Sequence, residues 1–307
     1  MRVALLAGGV GGSKLGLGLY RTMPPADLTV IANTGDDIVM HGLHVSPDPD
    51  IMMYTLAGLV NPETGWGFKG ETFRVAQGLA RYGRPVWFQL GDGDLATHIH
   101  RTAIMKGGGT LSAAIDSIRN ALDLKCTILP MTDAPMATML CTDEGRLHLQ
   151  EYFVRRKCEP RLRAIEFAGA EHAEPAPGVV EVLRAADAIV IAPSNPLISI
   201  GPILAVRGIA SVLREIRNRV IAVCPLVGGK SLKGPSDKMM AELGHDVTAP
   251  GVARLYCDYC SKFVIDETDA DQRSPIEELG LQAVVLPTIM RTAEDKEALA
   301  RAILRLA

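Results

Sequence analysis

The sequence has few cysteines, and their spacing supports neither a disulfide framework nor a metal centre. Six cysteines in 307 residues are too few for a fold that depends on a disulfide framework. Cys257 and Cys260 have the spacing of a redox or zinc motif, but no second such pair and no paired histidines accompany them. We therefore interpret them as two ordinary thiols on a loop or helix end.

A surplus of positive charge is also missing. The chain carries 32 Lys and Arg against 35 Asp and Glu, which gives a formal net charge of -3. A general nucleic-acid binder would carry a basic surplus, so we expect no nucleic-acid partner. A local positive pocket for a phosphate group remains compatible with this balance.

No uninterrupted apolar run of membrane-spanning length is present. The longest uncharged stretch, residues 188–206, contains Pro193, Pro196 and Pro202, which argue against a continuous membrane helix. We interpret this stretch as a buried strand, a turn and the start of a helix. The N-terminal residues 1–6 run directly into glycines, which fits a strand and turn better than a signal peptide. We expect a cytoplasmic protein with no membrane partner.

What the sequence does contain is an alternation of short β-branched runs and helical patterns. The alternation predicts an α/β fold with a doubly wound, mainly parallel Rossmann-like sheet. Short strands joined by turns predict a mixed or antiparallel insertion, and the chain as one domain, 1–307, with an inserted subdomain at about 126–178. The predicted strands are 2–7, 28–32, 86–90, 127–129, 147–150, 161–167, 188–192, 220–224, 263–265 and 283–286. The predicted helices are 14–22, 50–59, 70–82, 95–105, 110–121, 206–218, 237–243 and 293–306.

The strongest local signal is a glycine-rich turn between the first predicted strand and helix. Its members are Gly8, Gly9, Gly11, Gly12 and Lys14. Glycines let the backbone approach an anion closely, and the amides of a helix N-terminus point towards it. The turn is neither a Walker A loop nor a GxGxxG motif, because Ser13 and Lys14 stand where those motifs need glycine. It predicts a phosphate-binding turn, with a turn shaped only by packing as the alternative.

A second signal is a group of acidic residues after the second predicted strand. Its members are Asp36, Asp37, Asp48 and Asp50. In a doubly wound sheet these turns lie beside the glycine turn, and carboxylates next to a polyphosphate require a cation between them. The group therefore predicts a Mg²⁺ site, with capping of turns or helices as the alternative. The carboxylate of Asp50 could be a cap, a metal ligand or a base for an attacking hydroxyl.

Polar residues at other strand and helix ends complete the predicted substrate site. They are Asn33, Thr34, Lys69, Ser194, Asn195, Gly229 and Lys230. Prolines on both sides of Ser194 and Asn195 fix a rigid turn whose polar groups suit a base or a ribose. The lysines suit phosphates or an acidic group. Each turn taken alone is equally compatible with a purely structural role.

Together and in this order, the motifs resemble those of the CofD family. The matching stretches are residues 8–14, 32–37, 46–50, 67–73, 90–94, 192–196 with 199–202, and 228–235. The resemblance implies a Mg²⁺-dependent transferase that acts in coenzyme F420 biosynthesis. Such an enzyme moves a phospholactyl-type group from a guanosine-diphosphate-linked three-carbon acid to the hydroxyl of the deazaflavin Fo and releases GMP. The resemblance also implies a homodimer and assigns Asp50 to the acceptor side or its metal.

Two departures from the family pattern leave the transferred acid open between phospholactate, phosphoenolpyruvate and phosphoglycerate. Val10 stands where threonine is common, and Gly93 stands where a basic residue is usual. Two rival functions share part of the motif set. A CofD-like regulatory protein would bind a nucleotide sugar without catalysis, and a Mg²⁺-dependent nucleotide hydrolase would need the acidic group but no pocket for a flat acceptor.

Overall fold

A seven-stranded parallel sheet forms the centre of the fold, as the alternation of strands and helices predicts. A computed structural model describes all 307 residues. The strands are β1 (Val3–Ala7), β2 (Leu28–Ala32), β3 (Ile38–Met40), β4 (Leu43–Val45), β5 (Thr127–Pro130), β6 (Ala137–Thr142), β7 (Gly145–His148), β8 (Leu162–Ala168), β9 (Ala188–Ile191), β10 (Val220–Val223), β11 (Leu226–Val227), β12 (Lys230–Ser231), β13 (Lys262–Asp266) and β14 (Gln282–Leu286). The helices are α1 (Gly9–Thr22), α2 (Pro47–Leu56), α3 (Arg74–Arg81), α4 (Asp92–Lys106), α5 (Leu111–Ala121), α6 (Val179–Ala185), α7 (Gly201–Ala205), α8 (Ile209–Glu215), α9 (Ser236–Glu242), α10 (Ala249–Tyr256), α11 (Arg273–Glu277) and α12 (Ala293–Leu304).

The strand order places a crevice next to β1. The order is β14-β13-β10-β9-β1-β2-β5, and all neighbouring strands are parallel. The chain leaves β1 towards β2 and β5 on one side, then returns to β9 on the other side. Because the direction of winding reverses between β1 and β9, a ligand crevice is expected at the carboxyl ends of these two strands.

Both faces of the sheet are covered by apolar packing. Successive residues of β1 point to opposite faces, so that Ala4 and Leu6 join one buried cluster while Val3 and Leu5 join the other. Strands buried on both faces read as continuous apolar runs, which is why β1, β9 and β10 were readable as strands from the sequence.

The antiparallel insertion is shorter than the sequence predicts. Residues 127–130 form β5, which pairs in parallel with β2 at the edge of the central sheet. The antiparallel sheet contains only β7, β6 and β8 and spans Ala137–Ala168. The strand predicted at 147–150 is β7, which ends at His148. The organisation as one domain over residues 1–307 stays a prediction.

Several further elements differ from the predictions. Residues 86–90 form no strand, because Trp87 and Phe88 pack on the small apolar cluster around Met40 and have no neighbouring strand to pair with. Helix α2 begins at Pro47, so Asp50 lies inside its first turn and does not open it. An antiparallel hairpin, β3 with β4, precedes α2, and α6 and α10 also lie outside the predicted elements.

The uncharged stretch 188–206 folds as predicted into a buried strand, a turn and helical turns. Strand β9 ends at Ile191, and the chain then enters a helical turn at Pro196 that leads into α7. No single helix has both the length and the hydropathy for a membrane span. Only the pair Pro196–Ala205 and Ile209–Glu215 reaches them together, and it bends by 91°.

Candidate functional site

A single large cleft opens at the carboxyl edge of the sheet, between the turns that follow β1 and β9. Its volume is about 860 Å³. Ten of the predicted site residues line it: Gly8, Gly9, Gly11, Lys14, Asn33, Asp36, Asp48, Asp50, Ser194 and Asn195. The topology therefore brings together side chains from three distant parts of the sequence.

The glycine turn is held by close packing as well as being open to a ligand. A Cβ atom on Gly8 would lie 2.3 Å from Oδ2 of Asp48, and one on Gly11 would lie 2.2 Å from the carbonyl oxygen of Pro193. Gly9 has φ +63°, a conformation that favours glycine. The alternative considered from the sequence, a turn shaped by packing, thus accounts for these glycines in part.

Ser194 connects the two turns of the crevice. Its hydroxyl donates to the carbonyl oxygen of Gly8 at 2.7 Å and accepts from the amide of Gly8 at 3.3 Å. The neighbouring Asn195 uses its side-chain oxygen to cap the helical turn that follows, accepting from the amides of Leu197 and Ile198. Both residues lie at the cleft, but their polar groups already make structural bonds.

Asn33 and Asp48 build the floor of the cleft below the glycine turn. The Asp48 carboxylate accepts from the Gly9 amide at 2.7 Å and from Nδ2 of Asn33 at 2.9 Å. The same Asn33 nitrogen lies 3.5 Å from Oδ1 of Asp36, and Gln150 donates to the other Asp36 oxygen at 3.0 Å. Two buried carboxylates therefore share one amide donor.

The charges at this floor fit a cation. Burial, followed by the neighbouring carboxylates, raises the pKa of Asp36, and burial raises the pKa of Asp48 to about 6. No group of three His, Cys, Asp or Glu side chains is arranged to hold a metal by itself. An oxygen donor pair open to the cleft does suit Mg²⁺, which takes one or two carboxylates and completes its shell with phosphate oxygens and water.

Asp50 is occupied by a buried arginine that the sequence did not single out. Arg101 of α4 is fully buried and clamps Asp50 with two nitrogens, one of them 3.1 Å from Oδ2. Nδ1 of His98 lies 3.6 Å from the same carboxylate. Burial lowers the pKa of His98 to about 4, so the Arg101 guanidinium alone supplies the positive charge near neutral pH. With both oxygens engaged, Asp50 is less available to a metal than Asp36 and Asp48.

Asp94 is a fourth carboxylate in the cleft wall. It lies in the first turn of α4 and is partly buried. Burial, followed by Asp50 and Glu71, raises its pKa to about 7. Asp94, His98 and Arg101 follow one another at spacings of four and three residues, which places them on one face of the helix. That spacing was the available sequence signal for these three residues.

Three cationic side chains, Lys14, Lys233 and Arg291, also line the cleft. Lys14 donates to the carbonyl oxygen of Met290 at 3.0 Å, and burial together with the charge of Lys233 lowers its pKa. Lys233 donates to the carbonyl oxygen of Thr64 at 2.8 Å, and Arg291 is the third cation of the lining. Three cations therefore line the same cleft as the four carboxylates, and the α1 N-terminus is bonded to one of these, Asp48.

Four aromatic side chains, those of Tyr54, Trp66, Phe88 and Phe153, line part of the cleft. Tyr54 packs against Phe68 with ring centroids 4.2 Å apart, and Trp66, Phe88 and Phe153 also contribute. A Cβ atom on Gly93 would lie 3.1 Å from the Phe68 ring, so a larger residue at this position would crowd that ring. The pocket thus offers apolar surface of the kind that a flat ring requires.

Six predicted site residues do not line the cleft. They are Gly12, Thr34, Asp37, Lys69, Gly229 and Lys230. Asp37 lies beneath the hairpin, where it accepts from Ser46 at 2.7 Å and from the His44 ring at 2.8 Å. Lys69 and Lys230 are exposed, and within the 228–235 stretch it is Lys233 that reaches the cleft.

The family model described as 2-phospho-L-lactate transferase CofD matches residues 3–289. A phosphoenolpyruvate transferase of Streptomyces griseus is 42% identical over 100% of this chain and 98% of its own length. A 2-phospho-L-lactate transferase of Methanothermobacter thermautotrophicus is 37% identical, covering 98% of this chain and 97% of the relative, and one of Methanopyrus kandleri is 40% identical over 100% and 97%. A crystal structure of a UPF0052 family protein from Bacillus halodurans shares the fold, with a TM-score of 0.66, 17% identity and coverage of 99% and 98%. The chain therefore belongs to the CofD family and is a transferase of the 2-phospho-L-lactate transferase type.

Proposed function

We propose that this transferase moves a phospholactyl-type group from a guanosine-diphosphate-linked three-carbon acid to the hydroxyl of the deazaflavin Fo, releases GMP, and serves coenzyme F420 biosynthesis. The observation that carries the proposal is that cationic side chains and carboxylates line one cleft at the glycine turn. Lys14, Lys233 and Arg291 suit the diphosphate of a donor, while the floor at Asp36 and Asp48 suits Mg²⁺.

In this proposal the phosphorus atom that bears the acid lies between the cationic side chains and the carboxylates of Asp36 and Asp48. The amides at the N-terminus of α1 and the ammonium of Lys14 bind phosphate oxygens, and the aromatic pocket holds the acceptor ring. Mg²⁺, when bound at Asp36 and Asp48, would offset the negative charge that builds on the transferred group. The rigid contacts of Gly8 with Ser194 and Asp48 keep these groups in place before the substrates arrive.

Two relatives with comparable identity carry the names of different activities, a phosphoenolpyruvate transferase and a 2-phospho-L-lactate transferase. The identity of the three-carbon acid is therefore best decided by competition. Purified protein, Mg²⁺ and Fo are mixed with the guanylylated forms of lactate, enolpyruvate and glycerate phosphates, and the deazaflavin product is identified by mass. One donor should give a much larger kcat/KM than the others.

The same experiment separates the proposal from its rivals. Tight binding of a nucleotide with no deazaflavin product from any donor would favour the regulatory, nucleotide-sugar-binding alternative. Release of GMP at the same rate with and without Fo would favour a hydrolase. Omission of Mg²⁺ by chelation should stop product formation, and full activity without any divalent cation would contradict the metal assignment.

Homodimerisation and a cytoplasmic location belong to the same proposal. The homodimer rests on the resemblance to the family alone, and the cytoplasmic location rests on the sequence. Sedimentation of the purified chain measures the first, and the dimer should persist at the protein concentration of the activity assay.

A further inference from the structure

The carboxylates of the cleft differ in their bonding partners, and one of them, Asp94, has no positively charged partner. Asp36 and Asp48 accept hydrogen bonds from side-chain and backbone amides, and Asp50 is clamped by Arg101. Asp94 takes part in no ion pair, and the hydrogen-bonding groups beside its carboxylate, the Gly91 backbone and the Tyr54 hydroxyl, are uncharged. The charged groups that face it are the carboxylates of Asp50 and Glu71.

Asp94 lies near the aromatic side chains that we propose to hold the acceptor ring. It follows Gly91, which packs against Glu71, and the amide of Asp94 donates to Glu71 at 3.3 Å. Tyr54 of α2 lies next to it and, through its contact with Phe68, forms part of the aromatic pocket. Both Asp94 and Tyr54 line the cleft.

We propose that Asp94 is the residue that accepts the proton of the attacking acceptor hydroxyl. This inference rests on the proposed transfer reaction. In the step, the hydroxyl oxygen forms a bond to the phosphorus that bears the three-carbon acid, and the bond from that phosphorus to the bridging oxygen breaks. The bridging oxygen leaves with the electron pair as a phosphate oxygen of GMP, and the hydroxyl proton moves to the Asp94 carboxylate.

The other carboxylates are less suited to this task. A carboxylate clamped by a guanidinium is a weak base, because protonation would leave the buried Arg101 charge without its partner. Asp36 and Asp48 lie at the glycine turn, where the donor phosphates and the metal are proposed. Efficient proton transfer favours a group whose pKa lies near the working pH, and the pKa of Asp94, about 7, meets that condition.

The test compares Asp94→Asn with wild type and with Asp123→Asn, an exposed aspartate far from the cleft. Asparagine keeps the size of the side chain but cannot take the proton. We expect kcat to fall by roughly 100-fold or more in Asp94→Asn, with GDP and Fo binding almost unchanged, and to stay at the wild-type value in Asp123→Asn. Asp94→Glu should recover part of the activity with a shifted pH profile.

The dependence of kcat on pH distinguishes a proton acceptor from a residue with only a structural role, because only loss of the proton acceptor removes a limb of the profile. Wild-type kcat should rise with pH along a limb whose midpoint belongs to Asp94, and this limb should be absent in Asp94→Asn. A folded Asp94→Asn variant with kcat within about threefold of wild type and the same limb would overturn the inference. If wild type forms product in that experiment, the proposed transfer reaction stands even when the role of Asp94 fails. If wild type forms no product, both the transfer reaction and the role of Asp94 are contradicted.

Discussion

Arg101 and Asp50, which lie 51 positions apart on α4 and α2, form a two-pronged ion pair that is closed to solvent. Arg101 has no exposed surface and its Nε atom has no hydrogen-bond partner. The pair therefore joins two helices at the cleft wall and fixes the Asp50 carboxylate in one orientation.

Removal of one member of this pair should be costly. Arg101→Met leaves a buried carboxylate without its counter-charge, and we expect the free energy of unfolding in urea to fall by about 3–5 kcal/mol. The double variant Arg101→Met with Asp50→Leu should recover much of the loss, since neither charge remains. As a control, Arg155→Met at an exposed pair with Glu151 should cost no more than about 1 kcal/mol. Equal losses at the two sites would contradict a structural role for the buried pair.

Asp50→Ala should nearly abolish turnover while GDP binding is largely retained. Asp50 lines the cleft but is not one of the lysine and glycine groups that suit the diphosphate. Steady-state turnover with Fo and calorimetric titration with GDP measure the two properties separately. The folded fraction is checked by circular dichroism. Activity equal to wild type in a folded variant would remove Asp50 from the mechanism.

Gly11→Ala should damage the glycine turn. The added Cβ would meet the backbone oxygen of Pro193 at 2.2 Å, and backbone cannot move aside cheaply. We expect a loss of about 1–3 kcal/mol in unfolding free energy and weaker GDP binding. Gly78→Ala in α3 is the matched control, because nothing lies within 4 Å of its Cβ and the helix should gain about 0.5–1 kcal/mol. A stable Gly11→Ala variant with normal affinity would show that the contact is not tight.

The stability of the ligand-free protein should fall as pH rises from about 4 to about 7. Asp94 has a pKa of about 7 in the folded chain and an ordinary value of 3.8, so between these values the folded state holds a proton that the unfolded state has lost. One such group contributes a slope of at most about 1.4 kcal/mol per pH unit. Asp94→Asn should flatten this part of the curve, measured by urea unfolding at a series of pH values. An unchanged slope would place the titration elsewhere.

Mg²⁺ should stabilise the protein through Asp36 and Asp48. These buried carboxylates repel each other without a cation, and binding to the folded state alone raises Tm as the Mg²⁺ concentration increases. Asp48→Asn should reduce the Mg²⁺-dependent rise in Tm in the presence of GDP. Asp116→Asn, on the exposed face of α5, provides the control. An identical rise in Tm for Asp48→Asn would move the metal to another site.

The parts of the fold and site that the sequence predicted are those encoded locally. Apolar runs such as 2–7 and 188–192 predicted the central strands, and the glycine turn and Asp48 were found because they follow strands. Arg101 was missed because it lies within a helix, where polar residues usually face solvent, and only its pairing with Asp50 of α2 shows why it is buried. Asp94 was noted only as part of the 90–94 stretch, and the structure shows that it lines the cleft. The run 86–90 looked like a strand, but tertiary packing of its aromatics prevailed over its β propensity.

The join between the turns after β1 and β9 has a consequence for how the chain is made. Gly8 is bonded to Ser194, 186 residues further along the chain, and β1 has β9 as one of its two neighbours. A ribosome must therefore synthesise almost two thirds of the chain before the first strand loses its free edge. Until then that apolar strand can pair wrongly. Chains that end before residue 188 should accumulate as aggregates, even though they contain the whole glycine turn.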